Sequence, residues 1–290
     1  MKQIDIIEAK NDLGVNIDGT DKGPSILTKN IDKDKINKIY TIEKPNYEKE
    51  TKKDNLKKNL KGVNEFNEKL YETVSNIVEE GNFPLTLGGD HTIAIASALA
   101  SIKQRKKLGI IWVDAHGDFN TFKTTITGNL HGLPLAVITG YEKDLLADFH
   151  KGNFYPFENT VILGARDIDP LELENLKDAN VTIFTTADIH KYGVKKITKK
   201  AYEIASKNVD GVHISYDIDV IDPKDAPGVS VPAISGITKE EAYDILDVLL
   251  KKDNIKSMDV VEFNPLKDKD GKTEKIAANI VNKIIGKKQL

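Results

Sequence analysis

The chain contains no cysteine. That removes disulfides, thiolate-ligated metals and cysteine nucleophiles from consideration. Long apolar runs are missing as well; no stretch approaches the roughly 20 residues that a membrane-spanning helix needs. The first residues, MKQIDIIEAK, lack the extended apolar core and small-residue cleavage site of a secretory signal. A soluble cytoplasmic protein is the expectation. A dominant charge is absent too, since 42 Lys and Arg stand against 45 Asp and Glu for a net charge of −3. Neither nucleic acid nor an anionic membrane is expected as a partner. The one glycine-rich turn before a helix, GGDHT at 88–92, has no Lys-Ser/Thr to hold phosphate and magnesium, so it is not a phosphate loop.

What is present suits a sizeable enzyme-like fold. With 290 residues, 39% hydrophobic and 30% charged, the chain can bury a large core. Short apolar runs recur at Ile4–Ile7, Ile39–Ile42, Phe83–Leu87, Leu108–Val113, Val161–Gly164, Val181–Thr185, Val212–Tyr216 and Ile255–Val261. Segments of helical character separate most of them. Phe66, Leu70, Val74 and Ile77 share one helical face, so Asn55 to Gly81 reads as one amphipathic helix, and the lysines of 52–61 as its solvated side. Further helices are expected at 93–102, 131–140, 171–178, 194–207, 238–250 and 274–285. The alternation predicts an α/β fold with an open, mostly parallel sheet of about eight strands and helices on both faces. No repeat and no linker-like boundary interrupts it, so residues 1–290 read as one domain. The turn-rich loop from Asn11 to Pro24 is long enough to be functional, or a plain surface connector.

The chemistry is concentrated in DAHGDFNTFKTTITGNLHG, residues 114–132. Asp114, His116 and Asp118 alternate after an apolar run, so a continued strand would project all three from one face. Asp217 and Asp219 repeat the pattern after Gly211–Tyr216, and Asp90-His91 ends a third run. Asp90, Asp114, Arg166, Asp217 and Glu262 all fall at strand ends, where open α/β sheets place their ligand crevice. Four clustered aspartates would repel one another unless cations balance them. Two divalent ions would do so, with His91 and His116 as nitrogen ligands. Mixed Asp and His ligation favours manganese or a similar metal, and a water shared by two such ions ionises near neutral pH.

Five motifs in order, GGDHT, DAHGDFN, TGNLHG, SYDIDVIDP and VVEFNP, resemble the ureohydrolases, the arginase and agmatinase family. TGNLHG is similar to the SGNLHG form of the arginase branch. The resemblance spans nearly the whole chain. It implies that His91, Asp114, His116, Asp118, Asp217 and Asp219 hold two Mn2+ ions per subunit, Asp114 and Asp217 bridging them. It also implies His131 as a proton shuttle, Glu262 as the carboxylate for a guanidinium, and Asp118 as both ligand and catalytic group. Asn120 and Thr127 would hold a substrate α-carboxylate, with Asp169 and Glu172 near its α-amino group. The implied reaction is hydrolysis of L-arginine to L-ornithine and urea, in a homotrimer or homohexamer. Ser230-Val231 departs from the Gly-Thr common in that branch, and a similar Gly-Val-Ser run occurs in formimidoylglutamases. Agmatinase, guanidinobutyrase and formimidoylglutamase activities therefore stay open, as does a catalytically silent metal-binding protein.

Plainer readings apply elsewhere. Asp222 before Pro223 reads as a loop or capping residue, and Asp167 as a turn residue ranking below Asp169. His213 reads as a satisfied core histidine, His150 and His190 as surface residues, and Trp112 as strand core.

Overall fold

The computed structural model describes residues 3–50, 55–143 and 145–287. Eight strands form one sheet: β1 Ile4–Lys10, β2 Lys38–Glu43, β3 Phe83–Gly88, β4 Gly109–Val113, β5 Thr160–Ala165, β6 Thr182–Thr185, β7 Val212–Asp217 and β8 Ile255–Val261. Their order is β2-β1-β3-β8-β7-β4-β5-β6. Every pairing is parallel. The α-helices are α1 Gly23–Lys29, α2 Leu60–Glu79, α3 Ile93–Ile102, α4 Pro134–Ile138, α5 Pro170–Asp178, α6 Thr186–Tyr192, α7 Val194–Ala205, α8 Lys239–Leu249 and α9 Lys272–Lys287.

Apart from the edge strands β2 and β6, the apolar runs are buried on both faces, as the inner strands of a parallel sheet must be. Ile111 and Val113 of β4 face the layer of α1, α7, α8 and α9, whereas Ile110 and Trp112 face α2, α3 and α4. Strands β3, β4, β5 and β7 are buried along their whole length. All ten residues of α3 are buried, which explains why its sequence is apolar all round rather than amphipathic. The edge strand β2 alternates exposed and half-buried residues.

Three expectations need correction. The helix over 55–81 begins only at Leu60, because Asn59 takes a left-handed conformation (φ 57°) and pins the preceding segment to neighbouring loops. The lysine run is consequently not one solvated helix face; Lys52 and Lys53 lie outside the described residues, and Lys58 is buried. The helix expected over 131–140 is a 3-10 turn, Leu130–Gly132, followed by α4, whose start is set by Pro134 at its first turn. Third, His150 is not on the surface. It is 5% exposed, with the Tyr71 hydroxyl 3.0 Å from Nδ1 and the Asn153 carbonyl 2.9 Å from Nε2. His190 is exposed and Asp222 accepts from the backbone N–H groups of Lys224 and Gly236, both as expected.

Candidate metal centre and substrate pocket

The carboxyl ends of β3, β4 and β7 deliver the ligand candidates to one place. After β3 the chain turns through Gly88-Gly89, and a Cβ on Gly89 would lie 1.7 Å from the Asn11 carbonyl oxygen. Only glycine permits that approach. The turn aims His91 across the sheet end, where its Nδ1 lies 3.1 Å from Asp114 Oδ2, 3.0 Å from Asp118 Oδ2 and 3.1 Å from Asp217 Oδ2. None of these contacts has hydrogen-bond geometry, and Nδ1 is buried without a partner. Nε2 of the same ring lies 2.8 Å from Ser215 Oγ of β7. His116 forms a second focus, with Nδ1 3.0 Å from Asp219 Oδ2 and 3.4 Å from Asp114 Oδ1.

Two groups of three donors result, His91/Asp114/Asp118 and Asp114/His116/Asp219, each with its ligand atoms within 4.8 Å of one another. Asp114 belongs to both. Asp217 lies against the His91 ring, and its Oδ1 accepts from the Asp219 backbone N–H at 2.7 Å. The strand does not continue through this segment: β4 ends at Val113, and Asp118 is left-handed (φ 48°). The ligands converge because the chain turns back, not because side chains alternate along a strand.

The electrostatics fit a bound cation pair. Burial, reinforced by Asp114, pushes the Asp118 carboxyl up to about 6. Burial, Asp219 and Asp114 hold Asp217 well above the usual carboxylate range. Burial also raises Asp219, although His116 opposes it. For Asp114 burial is outweighed by His116 and His91, and the carboxyl is held low. Burial disfavours the His91 imidazolium, yet the three carboxylates push its pKa well above ordinary. A metal ion would satisfy a His91 Nδ1 that faces three carboxylates and has no hydrogen-bond partner. Hard oxygen and imidazole donors without thiolate suit manganese-like ions.

Beside this cluster lies a cavity of about 190 Å³, lined by His116, Asp118, Asp217 and Asp219 on one side and by Asn120, Thr127, Asp169 and His131 on others. Asn120 Nδ2 donates to Asp169 Oδ2 at 3.1 Å, and Asn120 Oδ1 accepts from Thr124 Oγ1 at 2.9 Å. Thr127 Oγ1 accepts from the Asn129 N–H at 3.1 Å. Asp169 caps α5. Glu172 also lines the cavity, its Oε1 accepting from the Phe119 N–H at 2.7 Å and its Oε2 from the Asp169 N–H at 3.1 Å. Burial pushes Glu172 up to about 8. His131 stands on the wall with Nδ1 3.1 Å from Glu262 Oε1. Glu262 is behind it in a strained left-handed conformation (φ 66°); Oε1 also accepts from the His91 N–H at 2.9 Å, and Oε2 is buried without a partner.

Comparison with known proteins agrees with this geometry. The model of the Arginase family matches residues 2–286. The chain belongs to the arginase family. It is 38% identical to an arginase of Bacillus subtilis over 296 residues, covering 100% of this chain and 99% of the relative. It is 39% identical to an arginase of Brevibacillus brevis, again over 100% and 99% of the two chains. Among solved structures, Entamoeba histolytica arginase in complex with L-ornithine superposes with a TM-score of 0.90 at 27% identity, covering 98% of each chain.

Within this arginase-family fold some nominated residues stand elsewhere than the motifs suggest. Arg166 does not reach the acidic cluster. Its guanidinium donates to the carbonyls of Ile234, Val220, Asp219 and Ala233 at 2.8–3.1 Å and so fixes the loop after β7. Val231 lines the cavity, while the Ser230 hydroxyl oxygen accepts from Asn264 Nδ2 at 3.0 Å. His213 is a satisfied core residue, with Nδ1 2.7 Å from Ser257 Oγ and Nε2 3.0 Å from Asp259 Oδ2. Two contributors went unnominated. Trp112 donates from Nε1 to Asp114 Oδ2 at 2.9 Å, a role its place two residues before Asp114 could have signalled. The other is Gly14, whose N–H donates to Asp90 Oδ2 at 2.9 Å and whose carbonyl accepts from the His131 N–H at 3.1 Å. The Asn11–Pro24 loop, for which the sequence left a functional role and a plain connector both open, is therefore part of the site's frame, although no local pattern singles out Gly14.

Proposed function

We propose that this protein is a manganese-dependent arginase, hydrolysing L-arginine to L-ornithine and urea, with residues 1–290 working as one domain. The observation that carries the reading is the pair of three-donor groups sharing Asp114 on one side of a cavity whose other walls offer Asn120, Thr127 and Asp169. His91, Asp114, His116, Asp118, Asp217 and Asp219 would hold two ions, and such a pair supplies Lewis acidity and a nucleophilic water at neutral pH.

The chain's own groups then do the rest. Asn120 has a second amide N–H beyond the one given to Asp169, and with the Thr127 hydroxyl it can donate to a substrate α-carboxylate. Asp169 can accept from the α-ammonium, which anchors the amino-acid end and directs the guanidinium toward the aspartates. Urea formation requires a proton for the departing δ-amine. Burial disfavours the His131 imidazolium, but Glu262, Asp118 and Asp90 outweigh it and raise its pKa. The protonated form of His131 is favoured accordingly; Glu262 fixes Nδ1, which leaves Nε2 to pass a proton. The E. histolytica arginase bound to L-ornithine, the product named here, supports the substrate choice.

Val231 on the cavity wall favours the second reading, a ureohydrolase for a guanidino compound without an amino-acid end. A substrate panel with manganese-loaded protein separates the two. A site built to hydrogen-bond a polar group rejects the analogue lacking it, so arginine should exceed agmatine in kcat/KM by at least about a hundredfold, or roughly 2.7 kcal/mol. Equal turnover of agmatine and arginine would overturn the arginase assignment and leave the family activity standing. Urea release from no guanidino compound would overturn both.

A further inference from the structure

The segment just before α2 contains none of the sequence motifs, yet it backs the loop that forms the outer wall of the cavity. A Cβ on Gly128 (φ 71°) would lie 2.3 Å from the Asn55 carbonyl oxygen and 2.8 Å from Leu56 Cα, so the two segments touch backbone to backbone. Asn59 ties the other end down, donating to the Leu13 carbonyl at 2.8 Å and accepting from the Glu50 N–H at 2.7 Å. Between these anchors Lys58 points inward. It is 3% exposed and is the only lysine or arginine buried among the described residues. Its Nζ donates to the carbonyl of Thr127, and among the described residues no carboxylate pairs with it.

A buried ammonium without a counter-ion is costly, and a neutral amide could make the same bond to a carbonyl. The charge therefore needs a reason. The cavity supplies one. Besides the metal-ligand candidates its wall carries Asp167, Asp169 and Glu172, and among the described residues neither lysine nor arginine lines it. Those carboxylates suit a substrate's cationic groups and oppose its α-carboxylate. We propose that Lys58 is a specificity-determining positioning residue, whose charge, held one residue's thickness behind the wall at Thr127, favours guanidino substrates that carry an α-carboxylate over those that do not. The inference rests on the arginase reading. Lys58 does not touch substrate; it acts through Thr127, and a unit charge at that depth in a partly buried site is screened far less than in bulk water.

The test compares wild type, Lys58→Met and Lys58→Arg, all manganese-loaded, with arginine as substrate and agmatine as a competitor scored by its inhibition constant. Lys58→Met should raise the KM for arginine about tenfold, or roughly 1.4 kcal/mol, with kcat changed little and agmatine binding unchanged or tighter. Lys58→Arg keeps the charge and should keep the arginine preference. If Lys58→Met fails to fold, Lys58→Gln, which retains a donor for Thr127, carries the same expectation. Equal weakening of arginine and agmatine would reduce Lys58 to a structural strut and overturn the proposal, as would an unchanged arginine KM. Wild-type protein that does not hydrolyse arginine would instead overturn the arginase reading, a result visible before any variant is made.

Discussion

The indole of Trp112 lies flat on the imidazole of His91, ring centroids 4.0 Å apart and planes 7° apart, while its Nε1 donates to Asp114 at 2.9 Å. One side chain thus orients two ligand candidates from different strands. Trp112→Phe keeps an aromatic face for His91 and deletes the bond to Asp114. Outer partners of this kind typically set metal affinity by about 10–100-fold, so the variant should fold and bind manganese that much more weakly. Manganese titration followed by calorimetry measures it; unchanged affinity would mean the indole serves only packing.

Metal removal should cost stability as well as activity. Asp114, Asp118, Asp217 and Asp219 are all buried within one cluster, and without cations they must protonate or repel. Chelator-treated protein should unfold at a lower temperature and recover on manganese addition, with a gain of about 2.7 kcal/mol when free metal reaches a hundred times its Kd. A melting temperature indifferent to chelator would contradict the site.

The order of strands and helices was readable because apolar runs and helical periods are local signals, and the motifs placed the acidic groups at strand ends. What stayed illegible was tertiary. Asp118 reaches the cluster through a left-handed backbone that no alternation rule contains. Gly14 reads as a turn glycine, yet a Cβ there would lie 2.5 Å from Asp90 Oδ1 and 2.4 Å from Thr92 Cγ2. Lys58 sits in a lysine-rich run that looks solvated, and only the approach of Gly128 to Asn55 shows why it is buried. Arg166 ends a strand like the acidic groups, but its five N–H donors match the carbonyls of a folded-back loop.

His150 has a consequence for pH. Burial, aided by Lys103 and Lys151 and opposed by backbone carbonyls, lowers its pKa. The folded state therefore holds it neutral where the unfolded chain, with a pKa of about 6.5, takes up a proton. Between those two values the unfolded state binds more protons, so stability falls as pH drops below about 6.5. His150→Gln can still accept from Tyr71 and donate to Asn153 without titrating. Urea unfolding at pH 7 and pH 5.5 should show a smaller loss in the variant than in wild type. Identical losses would mean that other groups carry the dependence.

His131 and the metals can be separated by one substitution. His131 belongs to neither three-donor group, and its imidazole is bound through Nδ1 to Glu262 rather than to an aspartate of the cluster. Removing it should leave metal content intact. On the proposed mechanism the group lost is the one that would carry a proton to the leaving amine, so His131→Ala should lower kcat by roughly 10²–10⁴, the range of general acid–base catalysis, with little effect on KM. Glu262 loses the imidazole from its Oε1 in that variant but keeps the bond from the His91 N–H, so its backbone should hold its place. Added imidazole, small enough for the vacated space, should restore part of the rate in proportion to its concentration. Elemental analysis decides the alternative reading: if His131→Ala loses metal, the imidazole is a ligand, and the proton for the amine has another source.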